Sequence, residues 1–193
     1  AINQAKKSKY ISRVIVSSDS KKIIKEAKKY NAEVPFKRPS KLARDNSPEL
    51  ETWRHAVNYL NPKKKIDFFV SVPTTSPLRK VSDIDNCIKK AVEKNLDIVF
   101  TVTKSIKNPY FNMIQIKKNK LELISKLKKK VSRRQEAPQC YDLTTVCYVF
   151  KPSYILKIKK NLLEGKTGFI EIPKVRSIDI DDEYDYRIAK FLS

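Results

Sequence analysis

The sequence predicts an α/β domain with a doubly wound, mostly parallel sheet and a β-hairpin inserted in its second half. Three observations predict this class. Short apolar runs alternate with amphipathic segments through the first half of the chain, which is the β-α-β order of parallel sheets. Residues 67–72 and 97–102 are nearly continuous apolar runs, as expected of strands covered on both faces. After Tyr110 two short runs joined by a polar turn indicate an antiparallel hairpin.

The first half of the chain alternates predicted strands with predicted helices. Residues 11–17 (ISRVIVS) predict a short buried strand, and residues 33–36 predict a second. Ser20 is placed to cap the helix between them, because a serine oxygen accepts a hydrogen bond from a free N–H group at a helix start. Pro48 and Glu49 predict the start of the next helix. The predicted inner faces are Ile23, Ile24 and Ala27 in the first helix and Trp53, Ala56, Val57 and Leu60 in the second.

The remaining elements complete the predicted sheet. Residues 67–72 predict a strand in the middle of a parallel sheet, and residues 97–102 predict another core strand. The helix that opens at Ser82 would pack through Ile84, Ile88 and Val92. The hairpin is predicted at residues 111–116 and 121–124, followed by a strand at 146–150, a helix at 152–157, a closing strand at 175–179 and a terminal helix at 182–192 that packs through Tyr186, Ile188, Ala189 and Leu192.

Composition limits the classes of function. The length of 193 residues fits a single domain, and no apolar run reaches the ~18 residues of a membrane span. The net charge of +21 fits either a binder of nucleic acid or a basic composition that serves solubility and steering. The second interpretation is favoured, because 33 of the 42 basic residues are Lys, whereas nucleic-acid readers depend on Arg forks. Three scattered cysteines predict reduced thiols in the cytoplasm, and His55 alone provides no zinc ligand set.

Two carboxylates at the end of the predicted closing strand, Asp179 and Asp181, are candidate metal ligands. Alternate residues of a strand point to one side, and Mg²⁺ takes carboxylate oxygens together with substrate phosphates. The alternative is that Asp181 or Asp182 caps the following helix by accepting hydrogen bonds from its free N–H groups. The spacing leaves both interpretations open.

Two further polar clusters are candidates for anion binding. Residues 74–79 (TTSPLR) follow the strongest predicted strand, and their hydroxyl and N–H groups could hold an anion or sugar oxygens, or else cap the next helix. Arg133 and Arg134, followed by Gln135, could bind carboxylates or phosphates bidentately, or else lie in a solvated loop. Ligands of such sheets bind beyond the carboxyl ends of the strands, so these clusters predict an anion-handling rim there. Composition and periodicity lead no further than an enzyme-like domain with that rim.

Six short segments follow one another in a fixed order along nearly the whole chain. They are residues 14–20 (VIVSSDS), 32–39 (AEVPFKRP) with Leu42, Ala43 and Asp45, 75–85 (TSPLR followed by DID), 108–112 (NPYFN), 133–141 (RRQ with Pro138 and Tyr141) and 177–185 (SIDID with Asp185). In this order they resemble the acylneuraminate cytidylyltransferase family, also called CMP-nonulosonate synthases. The resemblance implies a Rossmann-like nucleotidyltransferase fold over a single domain, residues 1–193.

The resemblance also implies a reaction and a set of site residues. The anomeric hydroxyl of a sialic-acid-like or legionaminic-acid-like nonulosonic acid would attack the α-phosphate of CTP, with release of pyrophosphate, in surface glycan biosynthesis. Mg²⁺ would orient the phosphates. The implied roles are Asp179 and Asp181 for the metal, Arg134, Gln135 and Asp181 for catalysis, Arg38 for the nucleotide, Arg133, Arg134 and Gln135 for the sugar acid, and Thr75, Ser76 and Arg79 for the lining of the sugar pocket.

The resemblance carries two implications for the ends and the assembly of the chain. The family begins with a strand and a nucleotide-binding loop, whereas residues 1–9 resemble the helix that follows that loop. We therefore expect residues 1–193 alone to bind CTP poorly. Residues from about 105 to 135 correspond to the segment that family members exchange in a homodimer.

Two departures from the family pattern leave the sugar open. Pro73 stands where many members have Gln, and Thr144-Thr145 replaces the usual Asn-Gly, while residues 108–112 favour a legionaminate-like sugar. One alternative is a 3-deoxy-manno-octulosonate cytidylyltransferase, which the RRQ and NPYFN segments disfavour. The other is a basic α/β domain that binds nucleic acid. The expected partners are CTP and a sugar acid, with neither nucleic acid nor membrane among them.

Overall fold

The structure is a computed structural model that describes residues 1–60, 65–128, 132–158 and 161–193. Its central sheet has the strand order β1-β5-β2-β6. These strands are Phe69–Ser71 (β1), Ile98–Lys104 (β2), Tyr141–Phe150 (β5) and Thr167–Glu171 (β6). β6 runs parallel to β2, and β5 runs antiparallel to both β1 and β2. The predicted α/β class is confirmed. The described sheet is mixed where we predicted a mostly parallel one, because β5 pairs antiparallel with both of its neighbours and only β2 and β6 pair in parallel.

Helices cover both faces of the sheet. They are Ile2–Lys7 (α1), Lys21–Lys29 (α2), Glu49–Leu60 (α3), Val81–Glu93 (α4), Pro152–Lys157 (α5) and Glu183–Phe191 (α6). On one face Trp53 and Val57 of α3 pack against the strand residues Phe100, Tyr148 and Phe150. On the other face α4 packs through Ile84, Cys87 and Ile88 against Val99 and Val149. No helix in the described residues is long and apolar enough to cross a membrane.

The helix predictions are confirmed, with corrections to four packing residues. Ser20 caps α2 by accepting a hydrogen bond from the N–H of Ile23, and α3 begins at Glu49 and buries all four predicted residues. Ile23, Val92, Tyr186 and Leu192 are exposed, contrary to prediction for these four side chains. Each of these side chains lies on a helical face that the described part of the molecule leaves uncovered. The spacing of apolar residues therefore predicted the helices correctly, but it did not predict how wide their buried faces are.

The strand predictions need more correction. Only one parallel bridge, between Ile15 and Glu33, joins the predicted strands at residues 11–17 and 33–36. Two backbone hydrogen bonds connect these segments. The run at 67–72 forms the half-buried end strand β1, paired antiparallel, where we predicted a position in the middle of a parallel sheet. The closing strand predicted at 175–179 is wrong: Pro173 is followed by a 3-10 helix, Lys174–Arg176. The strand that pairs in parallel with β2 is instead β6, whose residues alternate between exposed and half-buried and include Gly168.

The predicted hairpin is confirmed as Ile114–Lys117 (β3) and Lys120–Leu123 (β4). Its turn residues Lys118 and Asn119 have φ of 49° and 59°, the left-handed backbone of a tight two-residue hairpin turn. Residues 129–131, which belong to the insertion predicted at about 105–135, lie outside the described residues.

Candidate active site

The site lies along the edge of the sheet where β1 and β2 end and β5 begins, which we call the upper edge. The loop of residues 73–79 follows β1 there, and its Ser76 is fully buried. Ser76 Oγ and Thr145 Oγ1 are hydrogen-bonded at 2.6 Å, which ties the loop to β5. Gln4 of α1 donates to the carbonyl oxygens of Pro77 and Arg79 from the other side. The hydroxyls of the loop are therefore partly used to fix its shape.

The segment around Asp179 lies directly against this loop. The N–H of Ile180 donates to the carbonyl oxygen of Thr75 at 2.9 Å. Asp179 is half-buried, and its buried Oδ1 has no hydrogen-bond partner among the described residues. Asp181 is exposed, and its N–H donates to Asp185. The segment is not a strand, contrary to the prediction, and it meets the loop through the backbone of Ile180, which lies between the two aspartates.

The capping alternative for the acidic segment is confirmed for one residue. Asp182 is the N-cap of α6, and its side chain accepts a hydrogen bond from the N–H of Asp185 at 2.9 Å. This leaves the side chains of Asp179 and Asp181 free of the capping role.

Arg38 is held at the end of the segment that contains the Ile15 bridge. Its Nε donates to Ser17 Oγ at 3.1 Å, and its Nη2 donates to the Ser17 carbonyl oxygen at 2.6 Å. The N–H of Arg38 also donates to the carbonyl oxygen of Ser18. These contacts fix the guanidinium group near Glu49 and so place a cation at the upper edge.

The charge of Asp179 contributes to the pKa shifts of three neighbouring groups. Burial raises the pKa of Glu49, the charge of Asp179 raises it further, and Arg38 opposes the shift. Burial raises the pKa of Tyr148 to about 12, with contributions from Glu49 and Asp179. Burial lowers the pKa of Arg79 to about 10, against the opposing effect of Cys147, Asp179 and Asp83. All three groups therefore experience the charge of Asp179.

Arg79 is unusual for a charged residue, because it is only 3% exposed. Its Nη2 donates to the carbonyl oxygen of Pro73 within the same loop, whereas Nε and Nη1 are buried without a hydrogen-bond partner among the described residues. Buried donors of this kind are normally satisfied. Arg79 therefore has two unused N–H directions beside the loop that was predicted to line the sugar pocket.

The RRQ residues lie on the same edge, farther along it. Arg134–Glu136 form a 3-10 helix, and Arg133 forms an exposed ion pair with Glu136 at 2.8 Å. Arg134 Nη2 lies 3.4 Å from the carbonyl oxygen of Ser105, the residue after β2. Arg133, Arg134 and Gln135 are exposed, and within the described ranges no hydrogen bond joins them to the loop or to Asp179. The structure therefore brings together Arg38, Thr75, Ser76, Arg79 and Asp179, and leaves the RRQ residues at the rim.

Two members of the cluster, Glu49 and Tyr148, were not predicted from the sequence as site residues. Glu49 looked like a helix-start acid, and Tyr148 looked like one apolar residue of a core strand. His55, the single histidine, packs its ring edge-on against Phe36 at 4.9 Å between centroids. That contact gives the imidazole ring a packing partner.

The carboxylates present fit a divalent cation that also binds substrate phosphates. Mg²⁺ is commonly held by one or two carboxylates, with waters and phosphate oxygens completing its shell. The unpartnered Oδ1 of Asp179 supplies one such oxygen, and the exposed carboxylate of Asp181 follows two residues later. No group of three or more His, Cys, Asp or Glu side chains in the described ranges forms an all-protein metal site.

Comparison with known proteins identifies the family of the chain. The family model described as Cytidylyltransferase matches residues 1–162. CMP-N,N'-diacetyllegionaminic acid synthase of Campylobacter jejuni is 33% identical over 194 residues, which cover 100% of this chain and 81% of that protein. Post-translational flagellin modification protein B of Campylobacter coli is 31% identical over 196 residues, with the same coverage of each chain.

Solved structures agree in fold. A 4-diphosphocytidyl-2C-methyl-D-erythritol synthase of Anaerococcus prevotii has a TM-score of 0.66 at 13% identity, over 99% of this chain and 83% of the other. CMP:2-keto-3-deoxy-manno-octonic acid synthetase in complex with CTP has a TM-score of 0.64 at 10% identity, over 98% of this chain and 85% of the other. These likenesses concern the fold alone, whereas the family match extends over most of the sequence. The chain belongs to the cytidylyltransferase family.

Proposed function

We propose that the protein transfers CMP from CTP to the anomeric hydroxyl of a nonulosonic acid and releases pyrophosphate. The observation that carries the proposal is the half-buried carboxylate of Asp179, whose Oδ1 has no partner among the described residues, beside the loop 73–79 and Arg79. Arg38 and Asp179 both act on the carboxyl group of Glu49. A carboxylate among cations suits a reaction whose nucleotide and sugar acid are both anions. The names of two relatives, a CMP-N,N'-diacetyllegionaminic acid synthase and a pseudaminic acid cytidylyltransferase, support the sugar class.

The proposed mechanism depends on positioning and charge. Arg38, fixed by Ser17, would bind the nucleotide, while Thr75, Ser76 and Arg79 would line the sugar pocket. Arg134 and Gln135 would contact the sugar acid from the rim, with Arg133 in support. In phosphoryl-type transfer, preorganised charges of this kind stabilise the transition state. The anomeric oxygen forms a bond to the α-phosphorus, the bond to the bridging oxygen breaks, and pyrophosphate and a proton leave.

We propose Mg²⁺ as the cofactor, held by Asp179 and Asp181. When bound, it would neutralise phosphate charge and align the triphosphate. Burial of Asp179 beside the loop would orient its carboxylate before substrate binds. The proposal places the reaction in the cytoplasm, where Cys87, Cys140 and Cys147, all free, stay reduced, and assigns its product to surface glycan biosynthesis.

The activity is tested by release of pyrophosphate from CTP with Mg²⁺ and a panel of sugar acids. The panel contains N,N'-diacetyllegionaminic acid, pseudaminic acid, N-acetylneuraminic acid and 3-deoxy-manno-octulosonic acid. We expect turnover with a nonulosonic acid and a CMP-sugar by mass spectrometry. A version that carries the N-terminal segment of a relative is assayed in parallel. Turnover only with the octulosonic acid would support that alternative, and turnover with none would reject the enzyme assignment. Binding to duplex DNA at about 0.15 M salt that weakens steeply as salt rises, without turnover, would favour the nucleic-acid alternative.

We also propose that the hairpin mediates a homodimer. Ile114, Ile116 and Leu121 on it are 59%, 77% and 68% exposed, and Ile116 faces Leu121 across the two strands. Exposed apolar pairs of this kind mark interaction sites in soluble proteins. The expected mass by light scattering is twice the chain mass of 22.4 kDa.

The hairpin offers its own control for this dimer. We expect the double variant Ile116→Asp and Leu121→Asp to be monomeric, because it would bury two unpaired charges. Gln115→Asp lies on the opposite side of β3, and we expect it to remain dimeric. A monomeric parent protein, or equal effects of the two variants, would contradict the proposed interface.

A further inference from the structure

We propose that Thr145 is a positioning residue for the reaction: its hydroxyl holds the loop 73–79 through Ser76 and thereby fixes the sugar pocket. This inference rests on the proposed function for its kinetic consequences. Its structural part concerns only the sheet and the loop. Thr145 was not among the predicted site residues, and sequence marked it only as a departure from the family's Asn-Gly.

The first step is an irregularity in the sheet. Ile98 to Phe100 pair regularly with Phe150 to Tyr148, and pairing resumes between Val102 and Leu143. One residue of β2, Thr101, therefore lies opposite four residues of β5, numbers 144–147. A bulge of this kind re-aims side chains and bends its strand, and it is common next to active sites. Here it lies at the upper edge, where β5 passes the loop.

The second step is that the bulge is held in place by buried hydroxyl groups. Thr101 and Thr144 are 0% and 5% exposed, and their Oγ1 atoms are 2.6 Å apart. Thr144 Oγ1 donates to the Thr101 carbonyl oxygen at 3.1 Å, and the N–H of Cys147 donates to Thr101 Oγ1 at 3.3 Å. One arrangement of protons satisfies all three bonds, because Thr101 can donate to Thr144. These bonds satisfy backbone groups that the β2–β5 pairing leaves unpaired, and they give the bulge a defined shape.

The third step is the contact that the bulge of β5 makes with the loop. It carries Thr145 to the loop, where Thr145 Oγ1 lies 2.6 Å from Ser76 Oγ. Ser76 is 0% exposed, so loss of this bond would leave a buried hydroxyl unsatisfied. In the described part of the chain, Thr145 is the only strand residue whose side chain bonds to this loop.

The fourth step connects this contact to substrate. Ser76 follows Thr75, whose carbonyl oxygen accepts the N–H of Ile180 between Asp179 and Asp181. Displacement of Ser76 would therefore move both the sugar-pocket lining and the acidic segment. Arg38 is held separately by Ser17 and Ser18, so the nucleotide contact should be unaffected. The geometry assigns Thr145 to the sugar side of the site.

The kinetic test compares Thr145→Val, which keeps the shape and removes the hydroxyl, with Thr145→Ser, which keeps the hydroxyl. We expect Thr145→Val to raise KM for the sugar acid about five- to tenfold, the effect of one hydrogen bond, and to leave KM for CTP within about twofold. Thr145→Ser should restore the parent value. Thr167→Val, at the exposed start of β6, is the control and should change neither constant. A uniform loss of kcat with both KM values unchanged would indicate a merely structural role and overturn the assignment.

A double-variant cycle identifies the partner. Ser76→Ala should reproduce the effect of Thr145→Val, and the two changes together should be no worse than either alone, since both remove one bond. Additive effects would show that Thr145 acts by another route and would contradict the inference.

Amide hydrogen exchange provides a readout that needs no activity. We expect peptides that contain residues 73–79 to exchange about tenfold faster in Thr145→Val than in the parent, with peptides from α3 unchanged. If the parent protein turns over no sugar acid, the proposed function fails. This measurement would still decide whether Thr145 holds the loop 73–79 in place. Unchanged exchange in the loop would reject the role of Thr145 even in an active enzyme.

Discussion

Replacement of Asp179 by Asn is expected to lower kcat for CMP transfer at least about a hundredfold without unfolding the protein. The carboxylate is half-buried, and its charge acts on three neighbouring groups at once. Asn keeps the size and removes the charge, so the variant should lose affinity for the divalent cation. The measurement is kcat as a function of Mg²⁺ concentration, together with the thermal midpoint.

The acidic segment supplies a matched control. Asp182 caps α6, and Asn is as good an N-cap as Asp, so Asp182→Asn should leave both activity and stability close to those of the parent. Asp181→Asn, two residues from Asp179, should lower activity as the second proposed ligand. If Asp179→Asn kept more than a third of the parent kcat, the assignment of the metal site would have to be abandoned.

The second large effect concerns stability. Asp83 is 1% exposed and accepts two hydrogen bonds from Arg176, at 3.0 and 2.9 Å, and one from the N–H of Lys80. Arg176→Ala would leave this carboxylate buried without its ion-pair partner. Breaking a buried pair by removal of one member typically costs about 3 kcal/mol or more. We expect the free energy of unfolding to fall by that amount in urea titration.

Arg187→Ala is the control for that measurement. Arg187 pairs with Glu183 one turn away on α6, with both side chains mostly exposed, and such pairs contribute less than about 0.5 kcal/mol. Equal losses for the two arginine variants would show that burial of Asp83 is not the cause. The buried ion pair between Arg176 and Asp83 also joins the start of α4, just after Arg79, to the segment that leads to Asp179. Arg176→Ala should therefore reduce activity as well.

Helices were predictable because their signals are local. Ser20, Pro48 and Glu49 mark helix starts through bonds within one turn, and the structure confirms α2 and α3. Strands depend on partners distant in sequence. Residues 11–17 have the composition of a strand, yet a single bridge to Glu33 is the only pairing that the described residues provide. β6 was missed for the converse reason: pairing with β2 makes it a strand although its own sequence is mixed.

The site was predictable where residues follow strands and less so where tertiary packing creates it. Thr75, Ser76 and Arg79 follow β1 as predicted, whereas Asp179 reaches the same edge from a segment that is not a strand. Glu49 and Tyr148 join them only because α3 packs over β5, and Thr145 reaches Ser76 only because β5 bulges. A sheet bulge has no sequence period of its own, so pattern reasoning could not find it.

The most direct test of a transfer site at the upper edge is a crystal structure of the protein with CTP and Mn²⁺. We expect an anomalous Mn²⁺ peak beside the carboxylate of Asp179, with the nucleotide extending towards Arg38 and the loop 73–79. Nucleotide and metal bound away from Asp179 would contradict the proposed site.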